Sequence, residues 1–377
     1  MKKISFLIVL STLISCTDKK YSKTQHKSSA ENNFIPHLLL NLPPGSNTPD
    51  GATLDKDGNI ILSMPNFNNE VLIKSGVLLK PDPEKMVVID KNNKVADWYI
   101  FTEKDKHPET GKIGPMECSF GPDGNLYIAD NQNVWNKEHK SRVLRINIKN
   151  GKPVNMDVVV EGFIFANGLI WKDSTLFVTE SILENIPQNK KKTALLSGVY
   201  SFKLHELKKK PLKLLPYRDA LSDPHLVAKF KSSNKKGFGA DGITFDDHRN
   251  LFTSIVEDGV IYKMKLNSND EITETKIFSR GMTSSDGLVW YKKTNTLYVA
   301  DFFGNSIYAV NQEGKATQLH KNADTDGKDG SLDQPAALLI RGNELITTNM
   351  DVAWMAKATN TKTDHPFTLS VIKLENK

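Results

Sequence analysis

Apolar and polar positions follow the same order in six segments of the chain. Each segment opens with one polar residue, continues as a short apolar run, crosses a polar turn and ends in a second apolar run. The segments begin at residues 50, 117, 167, 241, 286 and 334, so their spacing runs from 45 to 74 residues. Repeats of this length with insertions are typical of radial β-structures in which each repeat forms one four-stranded blade.

Further apolar runs supply a third strand in every repeat and a fourth strand in all but the last. The fourth strand of the third repeat is predicted at residues 211–215, inside the long insertion 205–238. The apolar segment 34–42 precedes the first repeat and can supply the strand that the last repeat lacks. The sequence therefore predicts an all-β, six-bladed β-propeller over residues 33–377, closed by an N-terminal strand that removes two exposed sheet edges.

Four insertions are predicted to lie at one face of this propeller. The insertions 64–84, 182–197 and 351–366 join second strands to third strands, and 205–238 precedes the first strand of the fourth repeat. In an up-and-down blade, both kinds of connection lie at the face where the innermost strand begins. Long connections gathered at one face indicate a covered functional site there.

The first 32 residues differ in composition from the repeats. A charged start and an apolar run too short to span a membrane predict a signal peptide over residues 1–15. The run ends in LISC, which resembles the lipobox of bacterial lipoproteins and predicts lipidation at Cys16; an ordinary secretory peptide with a chance cysteine is the alternative. Residues 16–32 are polar and predict a flexible tether.

These features predict an exported protein that is held on a membrane through an N-terminal lipid anchor. Thr17 after the cysteine favours the outer membrane or periplasm of a bacterial envelope. The formal charge is +6, but six lysines against two acids in residues 1–32 account for most of it. The lysine runs of the repeats lack interleaved aromatic residues, so nucleic acid is not an expected partner. Cys118 is predicted to be a small buried hydrophobic residue.

The polar residue that opens each repeat carries a side-chain oxygen. In a propeller these residues open the innermost strands and gather around the central channel. Several are acids, whose mutual repulsion raises their pKa values unless a cation offsets it. Carboxylate and amide oxygens favour Ca²⁺ or Mg²⁺ over Zn²⁺, so one divalent cation is expected; the alternative is that these residues only cap strands. They are Asp50, Glu117, Asn167, Asp241, Asp286 and Gln334.

A second set of polar residues ends the second strands, farther from the channel axis. Side chains at this position could bind substrate hydroxyls or support the inner residues, and the alternative is that they are solvated blade ends. Together with Glu117 and Asp286, the acids Asp130, Glu180 and Asp301 are predicted to contact a small-molecule substrate. The set is Asp130, Asn131, Glu180, Asp301 and Asn349.

The repeats resemble the family of senescence marker protein, gluconolactonase and luciferin-regenerating enzyme, over about residues 34–375. Asp50, Asn167 in Asn-Gly-Leu and Asp241 in Asp-Gly-Ile match the places of that family's metal ligands. The resemblance implies a six-bladed propeller with one divalent cation at the channel mouth. Ca²⁺ is the expected ion, with Mg²⁺, Mn²⁺ or Zn²⁺ as alternatives. The chain departs from the family at Asp50, where a Glu is usual, and at Glu117, which begins the place of an Asn-Asp pair.

The implied activity is metal-dependent hydrolysis of a lactone or related ester. In this interpretation Asp241 is the general base, and Glu117 and Asn167 help to place the substrate. A second interpretation comes from residues 330–349, which resemble an NHL repeat and suggest a non-catalytic, ligand-binding lipoprotein. A purely structural envelope protein, which would bind no metal, is the third.

Overall fold

Each of the six repeats forms one antiparallel sheet, and the sheets are the blades of a β-propeller. The computed structural model describes residues 34–185, 194–218, 222–352 and 358–374. The predicted signal peptide, lipidation site and tether fall outside these residues. Among the described residues, none of the helices has the length and apolar character needed to cross a membrane.

The first three blades follow a closing strand, β1 (His37–Asn41). Blade 1 contains β2 (Ala52–Leu54), β3 (Ile60–Met64), helix α1 (Asn69–Lys74), β4 (Lys85–Ile89) and β5 (Val95–Ile100). Blade 2 contains β6 (Pro115–Phe120), β7 (Leu126–Asp130), β8 (Ser141–Lys149) and β9 (Lys152–Phe163). Blade 3 contains β10 (Ala166–Lys172), β11 (Thr175–Glu180), β12 (Leu195–Lys203) and β14 (Leu226–Ser232). Between β12 and β14 lie a 3₁₀ turn (Leu204–Glu206) and the short strand β13 (Leu212–Lys213), which pairs outside this blade.

The last three blades are more regular. Blade 4 contains β15 (Ala240–Phe245), β16 (Asn250–Ile255), a 3₁₀ turn (Val256–Asp258), β17 (Val260–Leu266) and β18 (Ile272–Ser279). Blade 5 contains β19 (Leu288–Tyr291), β20 (Thr296–Asp301), β21 (Ser306–Val310) and β22 (Ala316–Lys321). Blade 6 contains β23 (Pro335–Arg341), β24 (Glu344–Asn349) and β25 (Thr368–Lys373).

The predicted closure by an N-terminal strand is confirmed. Strand β1 pairs antiparallel with β25, with His37 opposite Val371 and Asn41 opposite Thr368. Blade 6 therefore has the order β1-β25-β24-β23, and both ends of the described chain meet in it. Closure of this kind joins the first and the last described strands in one blade and so completes the ring.

The predicted fourth strand of blade 3 is wrong. That place is taken by β14, which pairs with β12, for example Phe230 with Ser197. Residues 212–213 instead form β13, which pairs in parallel with β9 and adds a fifth strand to blade 2. The insertion offers two apolar runs, and only the pairing partner available in three dimensions decides between them.

Six apolar clusters of the core each lie between two neighbouring blades, and a seventh, which includes Phe303 and Met350, lies at the channel. The second strand of a blade supplies both of its interfaces, since successive side chains of a strand point to opposite faces. In β3, Ile60 and Leu62 pack towards blade 6, whereas Ile61 packs towards blade 2. This two-sided burial explains why the second strands are nearly continuous apolar runs.

Candidate active site

Strand register defines which residues surround the central channel. The pairs Pro115–Asp130, Ala166–Glu180, Ala240–Ile255 and Pro335–Asn349 are equivalent, and each is followed by an irregularity. In blades 1 and 5, the pairs Ala52–Leu62 and Leu288–Val299 fix the same alignment. The channel position of the six blades is thus held by Asp50, Met116, Asn167, Asp241, Asp286 and Ala336.

Two of the six predicted channel residues are therefore misplaced. Glu117 lies one residue beyond the channel position of blade 2, which Met116 occupies. Gln334 lies two residues before the channel position of blade 6 and has a positive φ of 61°. It is fully buried, and its Oε1 accepts a hydrogen bond of 2.5 Å from the Val352 N–H. The prediction failed at Gln334 because the nearest residue with a side-chain oxygen before the strand was assumed to occupy the channel position.

The residue after each channel position packs against the next blade. Glycine stands there in four blades, and a Cβ on Gly168 or Gly242 would collide with the carbonyl oxygen of the next blade's Asp241 or Asp286. Only glycine permits this close approach of backbones. The Asp-Gly and Asn-Gly pairs thus mark the contacts that draw the inner strands together around the channel.

Asp241 is the centre of the hydrogen bonds on the channel floor, which we define as Asp50, Asn167, Asp241 and Asp286. The Asn167 Nδ2 donates to Asp241 Oδ2 at 2.5 Å. The carboxyls of Asp241 and Asp286 lie within hydrogen-bonding reach of each other. The Asp50 Oδ2, by contrast, is buried and has no hydrogen-bond partner.

Burial is the main cause of the high pKa values of the acids on the floor and of Glu117 beside it. It raises the pKa of Asp50 to about 7 and, with repulsion from Asp50, the pKa of Glu117 to about 8. Burial and then the charge of a neighbouring aspartate raise the pKa of Asp241 and of Asp286 well above the usual range. These side chains still face a narrow opening, where Asp50 keeps 9% of its surface exposed.

The residues of the floor have the donor chemistry that a hard divalent cation prefers, namely carboxylate and amide oxygens. The unpaired Asp50 Oδ2 and the repulsion among the buried carboxyls are both features that a cation would relieve. Above the floor lies a space of about 40 Å³, which exceeds the roughly 15 Å³ needed for one water molecule. Among the described residues, no group of three or more His, Cys, Asp or Glu side chains is arranged closely enough to hold a metal. The floor adds an amide oxygen, that of Asn167, to its three carboxyls.

A larger cavity of about 470 Å³ opens beside the floor. Its walls come from the insertion 64–84 that carries α1, which was predicted at this face, and from the loop after β7, which was not among the predicted insertions. The two spaces share four apolar side chains, so the cavity lies directly beside the space above the floor. The shared residues are Met116, Phe165, Phe238 and Met350.

The acids that end the second strands are structural rather than exposed to the cavity. Asp130 is fully buried, its Oδ1 accepts from the Gly114 N–H at 2.8 Å, and its Oδ2 pairs with Arg142 at 2.6 Å. Asp301 is also fully buried and accepts from the Ser284 N–H at 2.8 Å and the Gly304 N–H at 2.9 Å. The structure thus gives these two acids a role other than the predicted contact with substrate.

Glu180 follows the same pattern in blade 3. Its Oε1 accepts from the Phe165 N–H at 2.6 Å and its Oε2 from the Ile164 N–H at 3.1 Å. Burial raises the pKa of Glu180 to about 8, although these backbone donors lower it. In blade 6, Asn349 Oδ1 likewise accepts from the Asp333 N–H at 3.1 Å. These side chains fasten the segment that leads into the innermost strand, so Glu180 is not free to contact a substrate either.

Sequence reasoning missed the apolar part of the site. Met116 escaped because it has no oxygen, although the register places it on the channel. Four aromatic residues were missed because they lie between strands, where no periodic pattern marks them: Phe67, Trp135, Phe165 and Phe238. The usable signal was the insertion 64–84 itself, which the sequence did place at this face.

Comparisons with known proteins support the fold. No protein-family model matches the chain, and no curated protein is similar to it in sequence. A luciferin-regenerating enzyme is 10% identical over 91% of this chain and 100% of its own, with a TM-score of 0.54. A gluconolactonase from Xanthomonas campestris is 9% identical over 90% of this chain and 94% of its own, with a TM-score of 0.52.

The same fold also carries other chemistry. A PQQ-bound aldose sugar dehydrogenase from Streptomyces coelicolor is 12% identical over 90% of this chain and 98% of its own, with a TM-score of 0.53. The predicted likeness to gluconolactonase and luciferin-regenerating enzyme is confirmed at the level of the fold. The chain is a six-bladed β-propeller with an acidic channel floor, and its activity has to be argued from that floor.

Proposed function

We propose that this protein is a divalent-cation-dependent hydrolase that acts on a lactone or related ester. The observation that carries the proposal is the convergence of Asp50, Asp241, Asp286 and Asn167 from four blades at the base of a narrow space, next to a larger cavity. The cavity of about 470 Å³ has the size of a small-molecule site, which is typically about 300–1,000 Å³. The fold shared with gluconolactonase agrees with this activity.

The floor residues would hold the cation with the side-chain oxygens of Asp50, Asn167 and Asp241, and Asp286 lies beside them. When bound, the cation supplies a Lewis acid for the carbonyl oxygen of the substrate. Asp241 is the general base: burial and the charge of Asp50 raise its pKa above the usual range, which makes its carboxylate a stronger base than an ordinary aspartate. The Asn167 amide donates a hydrogen bond to Asp241 Oδ2 and so orients the Asp241 carboxyl.

Asp241 takes a proton from a water molecule whose oxygen bonds to the carbonyl carbon. The carbon–oxygen bond of the ester then breaks, and the leaving oxygen takes up a proton, which gives a hydroxy acid from a lactone. Asp286 lies within hydrogen-bonding reach of Asp241 and can pass that proton on. The aromatic wall formed by Phe165, Phe238 and Phe303 excludes bulk water from this space.

The test is hydrolysis by the full-length protein of a panel of lactones and aryl esters, followed by acid release, with Ca²⁺, Mg²⁺, Mn²⁺ or Zn²⁺ supplied. We expect Asp241→Asn to lower kcat by about 10²–10⁴-fold with its unfolding midpoint in urea retained. The control is Asp57→Asn in an exposed turn, which should leave the rate unchanged.

Two results would contradict the proposal: no hydrolysis of any panel member with any of the four ions, or full activity in Asp241→Asn. Retention of a bound ligand without turnover would instead favour the non-catalytic, ligand-binding interpretation.

A further inference from the structure

The cavity beside the channel floor is lined by aromatic and thioether side chains. Phe67 and Trp135 pack with ring centroids 5.7 Å apart, and Phe165 and Phe238 with centroids 6.0 Å apart. Met116 and Met350 complete the wall next to the floor. Methionine and aromatic walls accommodate apolar groups of varied shape.

The amides around this cavity are already used by the protein. Asn66 Nδ2 donates to the Pro83 carbonyl at 2.8 Å, and Asn69 Nδ2 donates to the Asp82 carbonyl at 2.9 Å. Asn131 Oδ1 accepts from the Asn133 N–H at 2.8 Å. The amide donors of Asn66 and Asn69 are therefore unavailable to the hydroxyls of a polyhydroxylated ligand, whereas the apolar part of the lining offers such a ligand no hydrogen-bond partners.

One amide donor differs from the others. Asn133 is 5% exposed, and its Oδ1 accepts from Lys137 Nζ at 2.8 Å, but its Nδ2 is buried without a hydrogen-bond partner. Because Asn133 lines the cavity, this N–H group can donate to one acceptor on a ligand. A few fixed polar groups in an apolar pocket typically set the orientation of a ligand.

Charged side chains of both signs stand around the same cavity. Lys74 and Lys112 lie near Glu70 and Glu84 in its lining. Because the cavity lining carries charges of both signs, it favours neither a cationic nor an anionic ligand group over an uncharged one.

We infer that the substrate is a lactone or ester with an uncharged, apolar arm that lies in this cavity and carries one acceptor, such as an amide carbonyl, that faces Asn133. The inference rests on the proposed function, because the floor must hold the reacting carbonyl while the arm fills the cavity. It separates this protein from enzymes of sugar lactones, whose substrates carry several hydroxyls.

The first test compares two valines that are both partly exposed. Val134 lines the cavity and is 41% exposed, whereas Val154 lies on β9, outside the cavity lining, and is 54% exposed. We expect Val134→Glu to lower kcat/KM for γ-undecalactone by at least about tenfold and to leave γ-butyrolactone unaffected. Val154→Glu should change neither. Equal loss on both lactones in Val134→Glu, or a preference of the wild type for gluconolactone, would overturn the inference.

The second test concerns the Asn133 donor. Asn133→Asp keeps the acceptor for Lys137 and replaces the free N–H donor with an oxygen. With two lactones of equal chain length, we expect this variant to lose rate only on the one whose arm contains an amide carbonyl. An unchanged preference would refute the assigned role of Asn133.

A binding measurement separates failure of this inference from failure of the proposed function. The alkyl lactam that corresponds to γ-undecalactone resists hydrolysis, and we expect it to quench Trp135 fluorescence in the wild type but not in Val134→Glu. Trp135→Phe identifies the signal. If no lactone is hydrolysed but this quenching occurs, the hydrolase proposal fails and the apolar site stands; absence of quenching overturns the inference.

Discussion

Two sets of buried acids, one at the start of innermost strands and one at the end of second strands, behave in opposite ways. Within the described part of the chain, the acids of the channel floor, Asp50, Asp241 and Asp286, receive no backbone N–H bonds that would stabilise their charge, and one oxygen of Asp50 has no partner. Asp130 and Asp301, at the ends of second strands, accept from backbone N–H groups through short hydrogen bonds. Burial alone therefore does not distinguish a site from a structural anchor; the presence of donors does.

The difference follows from where the chain runs. An acid that ends a second strand faces the loop that leads into the first strand, and that loop presents unpaired N–H groups. An acid at the start of an innermost strand faces the channel, where the nearest groups are other acids. Protein folding satisfies the first set and leaves the second set to be satisfied by protons or by a ligand.

The largest expected effect comes from removing a structural acid. Asp130→Ala leaves Arg142, whose side chain is 5% exposed, without its partner. Loss of one member of a buried ion pair costs about 3–5 kcal/mol, measurable as a lower free energy of unfolding in urea. Asp57→Ala is the control, since that side chain is 63% exposed and pairs only with Lys56. A loss no larger than that of the control would mean that Asp130 is not an anchor.

The next effect is a pH dependence of the free energy of unfolding, which arises from Asp50 on the floor and from Glu117 beside it. Without metal, the folded protein binds protons on Asp50 and Glu117 with pKa values of about 7 and 8, against 3.8 and 4.5 as ordinary values. Since the folded state holds these protons more tightly, stability is highest below pH 4 for these groups and falls as the pH rises to about 8. For Asp50 alone the loss is at most about 4 kcal/mol.

This loss can be measured as the free energy of unfolding in urea with EDTA at pH 5 and at pH 9. Asp50→Asn should show a smaller decrease between the two values, and the exposed variant Asp57→Asn should keep the wild-type decrease. Equal stability of the wild type at both values would show that the floor carboxyls are ionised in the folded protein.

The smallest effect is stabilisation by a cation. At pH 8, Ca²⁺ at about 100 times its dissociation constant should stabilise the wild type by about 2.7 kcal/mol, seen as a higher melting temperature. Asp50→Asn should lose most of this gain. Asp326→Asn serves as the control, because Asp326 lies in an acidic loop and pairs with Lys328 at 3.0 Å. An equal gain in wild type and Asp50→Asn would place the ion elsewhere.

The sequence predicted the blades well because their physics is local. Continuous apolar second strands and polar turns such as Asp57-Gly58, where the glycine has a φ of 80°, mark each repeat. The fourth strand of blade 3 failed because Leu212–Lys213 and Leu226–Ser232 are both strand-like, and the choice depends on partners distant in sequence.

The floor was predictable only where glycine marks it. Asp50, Asn167, Asp241 and Asp286 each precede a glycine that lets two blades approach, so the pattern located them. In blade 2, Glu117 stands in place of that glycine, so the sequence analysis placed the channel position of this blade one residue too late, at Glu117 instead of Met116. The structural role of Asp130 and Asp301 depends on loop N–H groups, which no pattern of residue types reveals.

The seam in blade 6 has a consequence for how the site comes into being. Strand β1 can complete its sheet only after β25 exists, so the ring stays open until nearly the whole described chain is available. The floor takes its oxygens from four blades, and they reach their final distances only in a shut ring. We therefore expect binding at the floor to require a closed ring of blades. An incomplete or cleaved ring would contain the same side chains without bringing them together.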